Sequence, residues 1–227
     1  MSAVKIFSKK FQFINDEPKE TLSIVIPELM DPNYGFYVWP CAVVLAQYIW
    51  YFQDQVEGRR ILELSAGTAL PGIVAAKCKA ESVVLSDSFL LPDSLRHCKN
   101  CCAANELPDL PVIGITWGLF SPDLINLAPV DIILGSDCFY NLKDFEDIIV
   151  TVSFILEKNI ECQFWCTYQE RSSDQSIEPL LKHWNLNCCQ VSLAEFQADG
   201  PDIANSGLPG NHTIQMLKIF KRKPKIG

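Results

Sequence analysis

From residue 60 onward the chain alternates between short uninterrupted apolar runs and helix-like stripes. The runs are Ile61–Leu64, Val83–Leu85, Val112–Ile115 and Ile132–Leu134. Apolar residues in direct succession predict strands covered on both faces, because neither side is left to meet water. Between the runs, Leu91, Leu95, Cys98 and Cys102 fall on one helical stripe, with Pro92 tolerated in its first turn. A second stripe joins Phe145, Ile148, Ile149, Val152 and Leu156, with Asn141 as N-cap and Asp144 near the positive helix end. Ile177, Leu180, Leu181 and Trp184 make a third, which Pro179 forces to start late or bend. Strands that alternate with helices predict a parallel sheet with right-handed crossovers.

Both ends of the chain break this rhythm. Phe7, Phe11 and Phe13 stand among lysines, and Leu22, Ile24 and Ile26 precede Pro27, which predicts a β-hairpin or arm within residues 1–33. Cys41–Phe52 is apolar almost all round, as a helix buried between neighbours requires. Near the other end, Cys188–Leu193 and Thr213–Phe220 read as strands. Their link, Ala194–His212, is rich in Gly, Pro, Asn and Asp and shows no helical stripe long enough for a parallel crossover. A reversed pairing at the end of the sheet is the simpler solution. The expected architecture is α/β and doubly wound.

Composition narrows the class. At 227 residues the chain has the length of one large domain. A hydrophobic share of 48% against 20% charged residues excludes a disordered chain. No apolar run approaches the ~18 residues of a membrane span, so no membrane partner is expected. The N-terminus carries no long apolar stretch, so the ten cysteines read as reduced thiols in the cytosol or nucleus. A formal net charge of −8 disfavours a nucleic-acid groove and favours a basic partner. The dense basic run near the end, Lys221-Arg222-Lys223-Pro224-Lys225, reads as a solvated tail, with a nuclear address as its alternative.

The strongest local pattern is Ile61-Leu62-Glu63-Leu64-Ser65-Ala66-Gly67-Thr68-Ala69-Leu70-Pro71-Gly72, a buried strand entering a small-residue turn before a helix. In an open α/β sheet such a turn sits at a strand's carboxyl end, where ligands bind. A well-packed turn with no ligand is its structural alternative. Asp87 ends the next strand about twenty residues beyond Gly67, the place for a carboxylate that accepts ribose hydroxyls. Its alternative is a helix cap. Nicotinamide dinucleotides and S-adenosylmethionine both match this much. A pyrophosphate needs two or three closely set glycines, and this turn keeps only Gly67 and the more distant Gly72, which favours a ligand without phosphates. Trp117 follows the third strand, where an indole covers an adenine face or simply fills core. The fourth strand leads into Gly135-Ser136-Asp137-Cys138-Phe139-Tyr140, placing an Asp and a Tyr at the same crevice. Cys98-x-x-Cys101-Cys102 has half the spacing of a zinc site but lies on a helix without a second pair, and His97, His183 and His212 are scattered. No metal is expected.

Trp39-Pro40, Glu63–Gly72, Asp87, Trp117-Gly118, Ser136-Asp137 with Tyr140, and Thr167-Tyr168-Gln169 with Arg171 together resemble the methyltransferase-like class of seven-strand S-adenosylmethionine enzymes. The likeness runs from about Tyr34 to Phe220. It implies a Rossmann-like seven-stranded sheet with an antiparallel last strand, a methyltransferase domain over residues 34–220 and a tail over 221–227. It implies S-adenosylmethionine as cofactor, with Trp39 at the methionine end and Ser65, Ala66 and Gly67 lining it. It places Asp87 on the ribose, Trp117 on the adenine and Ser136 in the wall. Glu63 belongs to this cofactor set as an anchor beneath the turn, and Asp137 and Tyr140 are the candidate catalytic residues. The implied acceptor is protein, specifically arginine of histone H3, with chaperones or transcription factors as further partners. A lysine or small-molecule methyltransferase and a non-catalytic module are the rival readings. The family pattern has Gly where this chain has Ser65, and often where it has Ala69.

Overall fold

The computed structural model describes residues 6–15, 20–29, 36–169, 171 and 176–222. Tyr34 and residues 223–227 of the expected basic tail lie outside them. The chain opens with the hairpin: Ile6–Asn15 (β1) pairs antiparallel with Glu20–Leu29 (β2), Phe11 opposite Ile24 and Phe13 opposite Leu22. Alternation along both strands sends Phe11, Phe13, Ile24 and Ile26 inward, where all four are fully buried. They join one core with the helix Pro40–Tyr51 (α1), whose residues Cys41–Trp50 are buried on every side. The hairpin is therefore a wall of the domain.

The main sheet follows. Arg60–Glu63 (β3), Leu70–Lys77 (α2), Ser82–Asp87 (β4), Pro92–Ala103 (α3) and Val112–Gly114 (β5) make two successive crossover units. The chain then passes the short helix Pro122–Ile125 (α4) to Ile132–Ser136 (β6), Phe145–Lys158 (α5), Gln163–Gln169 (β7), Glu178–His183 (α6), Leu186–Val191 (β8) and Ile214–Lys221 (β9). Strand order is β5-β4-β3-β6-β7-β9-β8. The seven strands and the reversed last strand match the expected fold. β9 inserts between β7 and β8 and is antiparallel to both, so a single strand is reversed. After β5 the chain returns to the other side of β3, and this reversal opens a crevice at the carboxyl ends of β3 and β6.

Apolar residues on the two sheet faces form two cores. One lies under α1, α2, α3 and the hairpin; the other lies under α5 and α6. Several details depart from the sequence pattern. The buried side of α3 is Ser94, His97, Cys98, Cys101 and Cys102, while Leu91 stands 51% exposed before the helix. The hairpin turns this face inward: Asn105 bonds both the N–H and the C=O of Val25, and His97 packs edge-on against Phe36. Asn141 caps a 3-10 turn at Leu142–Asp144 rather than α5 itself. β7 escapes an apolar-run search because Gln163, Thr167 and Gln169 interrupt it, although Phe164–Tyr168 are all buried. The glycine-rich link after β8 carries two 3-10 turns, and its Phe196, Ala198, Ile203 and Leu208 are buried in the first core.

Candidate active site

The crevice starts from the turn after β3. Leu64 donates its N–H to Leu134 O and Ala66 donates to Ser86 O at 2.8 Å, so the turn is stitched to both neighbouring strands. Three of its residues are left-handed: Ser65 (φ 54°), Gly67 (φ 51°) and Ala69 (φ 58°). The two positions where the family pattern has glycine are thus positions where a side chain is strained, at about 1–2 kcal/mol each. Beneath the turn, Glu63 is completely buried and its Oε2 accepts the Gly72 N–H at 2.9 Å. A Cβ at Gly72 would lie 2.3 Å from Leu85 Cδ2 and 2.5 Å from Glu63 Oε2, so only glycine lets α2 descend this far. Burial pushes the Glu63 carboxyl well above its ordinary range, and the Gly72 bond only partly opposes this. Glu63 works on the turn from below.

Asp87 closes the turn from the side. Its Oδ2 accepts the Gly67 N–H at 2.9 Å and its Oδ1 accepts the Ser88 N–H at 2.8 Å. Burial raises its pKa, and these two bonds pull the other way. Each carboxylate oxygen has capacity for a second hydrogen bond, so both remain available to hydroxyl donors. Ser88 Oγ meets Thr116 Oγ1 at 2.8 Å, tying the ends of β4 and β5 together. The half-buried Trp117 then packs against the second core, with its ring 6.4 Å from that of Tyr140. Gly118, at φ 71°, donates its N–H to Thr151 Oγ1 at 2.9 Å and thereby fixes Trp117 against α5.

The far side is built from the ends of β6 and β7. Ser136 is half-buried, and Asp137 follows with a left-handed φ of 51°. Asp137 donates its N–H to Thr167 O at 2.8 Å, while Thr167 Oγ1 donates to Cys41 O at 2.7 Å in the first turn of α1. This chain of bonds ties the first turn of α1, which Trp39 precedes, to the β6–β7 edge. Asp137 Oδ2 accepts from Arg171 Nη2 at 2.7 Å. Its Oδ1 is buried without a nitrogen or oxygen partner among the described residues, and the Cys41 thiol lies beside the carboxylate. Burial and the adjoining Asp137 charge push the Cys41 thiol up, which keeps it neutral. Tyr140 is 48% exposed, and partial burial raises its hydroxyl pKa, so it stands protonated as a donor. Thr167 and Arg171 belong to the motif along the chain without a role there, and Cys41 carries no functional signal in the sequence. Only the folded β7 end brings all three to Asp137.

The remaining candidates lie elsewhere. Cys98, Cys101 and Cys102 are buried free thiols on α3, and the described residues contain no group suited to hold a metal ion. A cavity of about 310 Å³ lined by Arg60, Ser82, Pro111 and Val130 sits at the amino ends of the strands, opposite the crevice. No helix among the described residues is long and apolar enough to cross a membrane. At the carboxyl ends, a turn of small residues beside a carboxylate with free acceptor capacity fits an adenosyl group. A carboxylate in that place suits ribose hydroxyls and repels phosphate.

Comparison with known proteins identifies the family. A family model described as lysine methyltransferase matches residues 18–179. The chain is 51% identical over 217 residues to the histone-arginine methyltransferase METTL23 of Xenopus laevis, covering 95% of this chain and 92% of that protein. It is 54% identical over 190 residues to the human histone-arginine methyltransferase METTL23, covering 84% of this chain and all (100%) of the relative. Among solved structures, the 16S rRNA N2 G1207 methyltransferase RsmC of T. thermophilus, in complex with AdoMet and guanosine, superposes with a TM-score of 0.62. That likeness covers 98% of this chain and 52% of the other at 17% identity, and it speaks to the fold alone.

Proposed function

The chain belongs to the lysine methyltransferase family, and on that premise we propose that it methylates a protein acceptor, an arginine of histone H3. The observation that carries the acceptor is near-full-length similarity, at 51% and 54% identity, to relatives named for histone-arginine methylation. Two features of the chain support a basic protein as substrate. Its net charge is −8. Large apolar residues stand exposed on the loops after β4, β5 and β6: Phe89–Leu91, Leu119, Phe120, Tyr140 and Leu142. Exposed apolar groups beside a crevice suit a polypeptide better than a small polar metabolite. A histone acceptor places this action in the nucleus.

S-adenosylmethionine, when bound, supplies an already activated sulfonium methyl. The protein's task is alignment of the acceptor and exclusion of water. In this reading Asp87 accepts the ribose hydroxyls, and Ser65, Ala66 and Gly67 let the backbone approach while Glu63 holds the turn. Trp117 covers the adenine, and Trp39 and Ser136 border the methionine end. Asp137 accepts an N–H of the acceptor and orients its nitrogen, which gives up a proton to solvent as it gains the methyl group. Tyr140, protonated, shapes the entrance and donates rather than acting as base.

A lysine acceptor is the second reading. It is favoured by the family description and by Asp137 being, among the described residues, the carboxylate that the Arg171 clamp holds at the β6 end, where a guanidinium is better served by two. Labelled S-adenosylmethionine with core histones, followed by amino-acid hydrolysis, tests the choice. Radiolabelled methylarginine is expected; label confined to methyllysine would transfer the assignment to the second reading.

A further inference from the structure

We propose that Arg171 is a positioning residue for methyl transfer, holding the Asp137 carboxylate through Oδ2 and neutralising its charge beside the acceptor. The inference rests on the reading above in which Asp137 meets the acceptor.

Asp137 is held from three directions. Its own backbone is left-handed, its N–H is bonded to Thr167 O, and Arg171 Nη2 lies 2.7 Å from Oδ2. Arg171 stands two residues beyond the end of β7, and its Nη1 also donates to Gln169 O at 3.3 Å. The Asp137 side chain is only 11% exposed, so this pair differs from a solvent-screened surface bridge. Asp137 also raises the pKa of Arg171, which remains charged throughout. The second oxygen, Oδ1, is buried without a nitrogen or oxygen partner among the described residues, beside the Cys41 thiol. A carboxylate offers about four acceptor sites, so one guanidinium bond fixes its plane and leaves capacity for a donor.

The charge has a second consequence. Alone, a nearly buried Asp137 would favour a positively charged acceptor, whose nitrogen has no lone pair to give. A permanent cation next to it removes that preference and favours the neutral, reactive form. Arg171 therefore does not tighten acceptor binding; it acts on the step that follows. An ordinary structural ion pair would affect folding and cofactor affinity instead.

Kinetics on core histones with Arg171→Met and Arg171→Ala, beside cofactor calorimetry, test this. In Arg171→Met, kcat falls by about 10-fold or more while KM for histone holds or drops and cofactor affinity stays within about 2-fold. In Arg171→Ala, added guanidinium ion at about 20 mM recovers several-fold of the lost rate, and it does nothing for Asp137→Asn. A wild-type kcat in Arg171→Met, or a loss that guanidinium fails to relieve, overturns the proposal. Crystals of Arg171→Ala with S-adenosylhomocysteine give an answer independent of any acceptor. The Asp137 carboxylate is expected to turn away, and to return when guanidinium is soaked in; a carboxylate that the truncation leaves in place refutes the role. If the wild-type protein labels no histone, the histone reading fails and this crystallographic arm decides on Arg171.

Discussion

Asp87 and Asp137 stand at the carboxyl ends of two strands in one sheet, yet the chain holds them by opposite means. Asp87 is bonded by backbone N–H groups, one from the turn it closes and one from its own successor. Asp137 is held by a side chain from just beyond the next strand and by strain in its own backbone. Backbone donors come with the turn and are insensitive to sequence, so the Asp87 half is a preformed cradle. A side-chain clamp can be altered by one substitution, so the Asp137 half is the more adjustable of the two. In the proposed function the difference falls between cofactor binding at Asp87 and turnover at Asp137.

Substitutions that strike one half at a time sharpen that separation. The largest effect is expected for Asp137→Asn, which lowers turnover on histone by about 100-fold or more with cofactor affinity nearly intact. Single-turnover kinetics beside calorimetry measure this, and a collapse in cofactor affinity would merge the two halves. Asp87→Ala should weaken cofactor binding by about 1–3 kcal/mol, through lost charge-assisted bonds and a turn that no longer presents Gly67 in place. Unchanged affinity in a folded variant would put this carboxylate outside the binding site. Gly72→Ala tests the support under the cradle: the clash with Leu85 and Glu63 should cost about 1–3 kcal/mol in chemical denaturation. Smaller is Ser65→Gly, which relieves left-handed strain and raises the unfolding free energy by up to about 1 kcal/mol after the added chain entropy of glycine. Ala69→Gly gains less, because its methyl group is fully buried and that burial is lost.

Much of the first half is readable along the chain. Glu63, the small residues Ser65–Gly67 and Asp87 are fixed by a strand, a turn and the next strand, all within 25 residues of local pattern. Residue identity there follows from backbone geometry, which is why the departures from glycine at Ser65 and Ala69 coincide with positive φ. The second half is assembled from distant segments. Cys41, Asp137, Thr167 and Arg171 span more than 120 residues, with Thr167 bonded to Cys41 across 126. No periodicity or spacing links them, and β7 itself is disguised by its polar residues.

The sequence by itself determined the alternation of strands and helices, the hairpin, the inward face of α5, and the small-residue turn after β3. These depend on whether each residue meets water or backbone, a property that neighbours along the chain settle. Tertiary structure alone decided which face of α3 is buried, that β9 enters between β7 and β8, and that Arg171 reaches Asp137. Those outcomes depend on which surfaces and charges meet across the folded sheet, and such pairings become energetically distinct only once the chain has closed on itself.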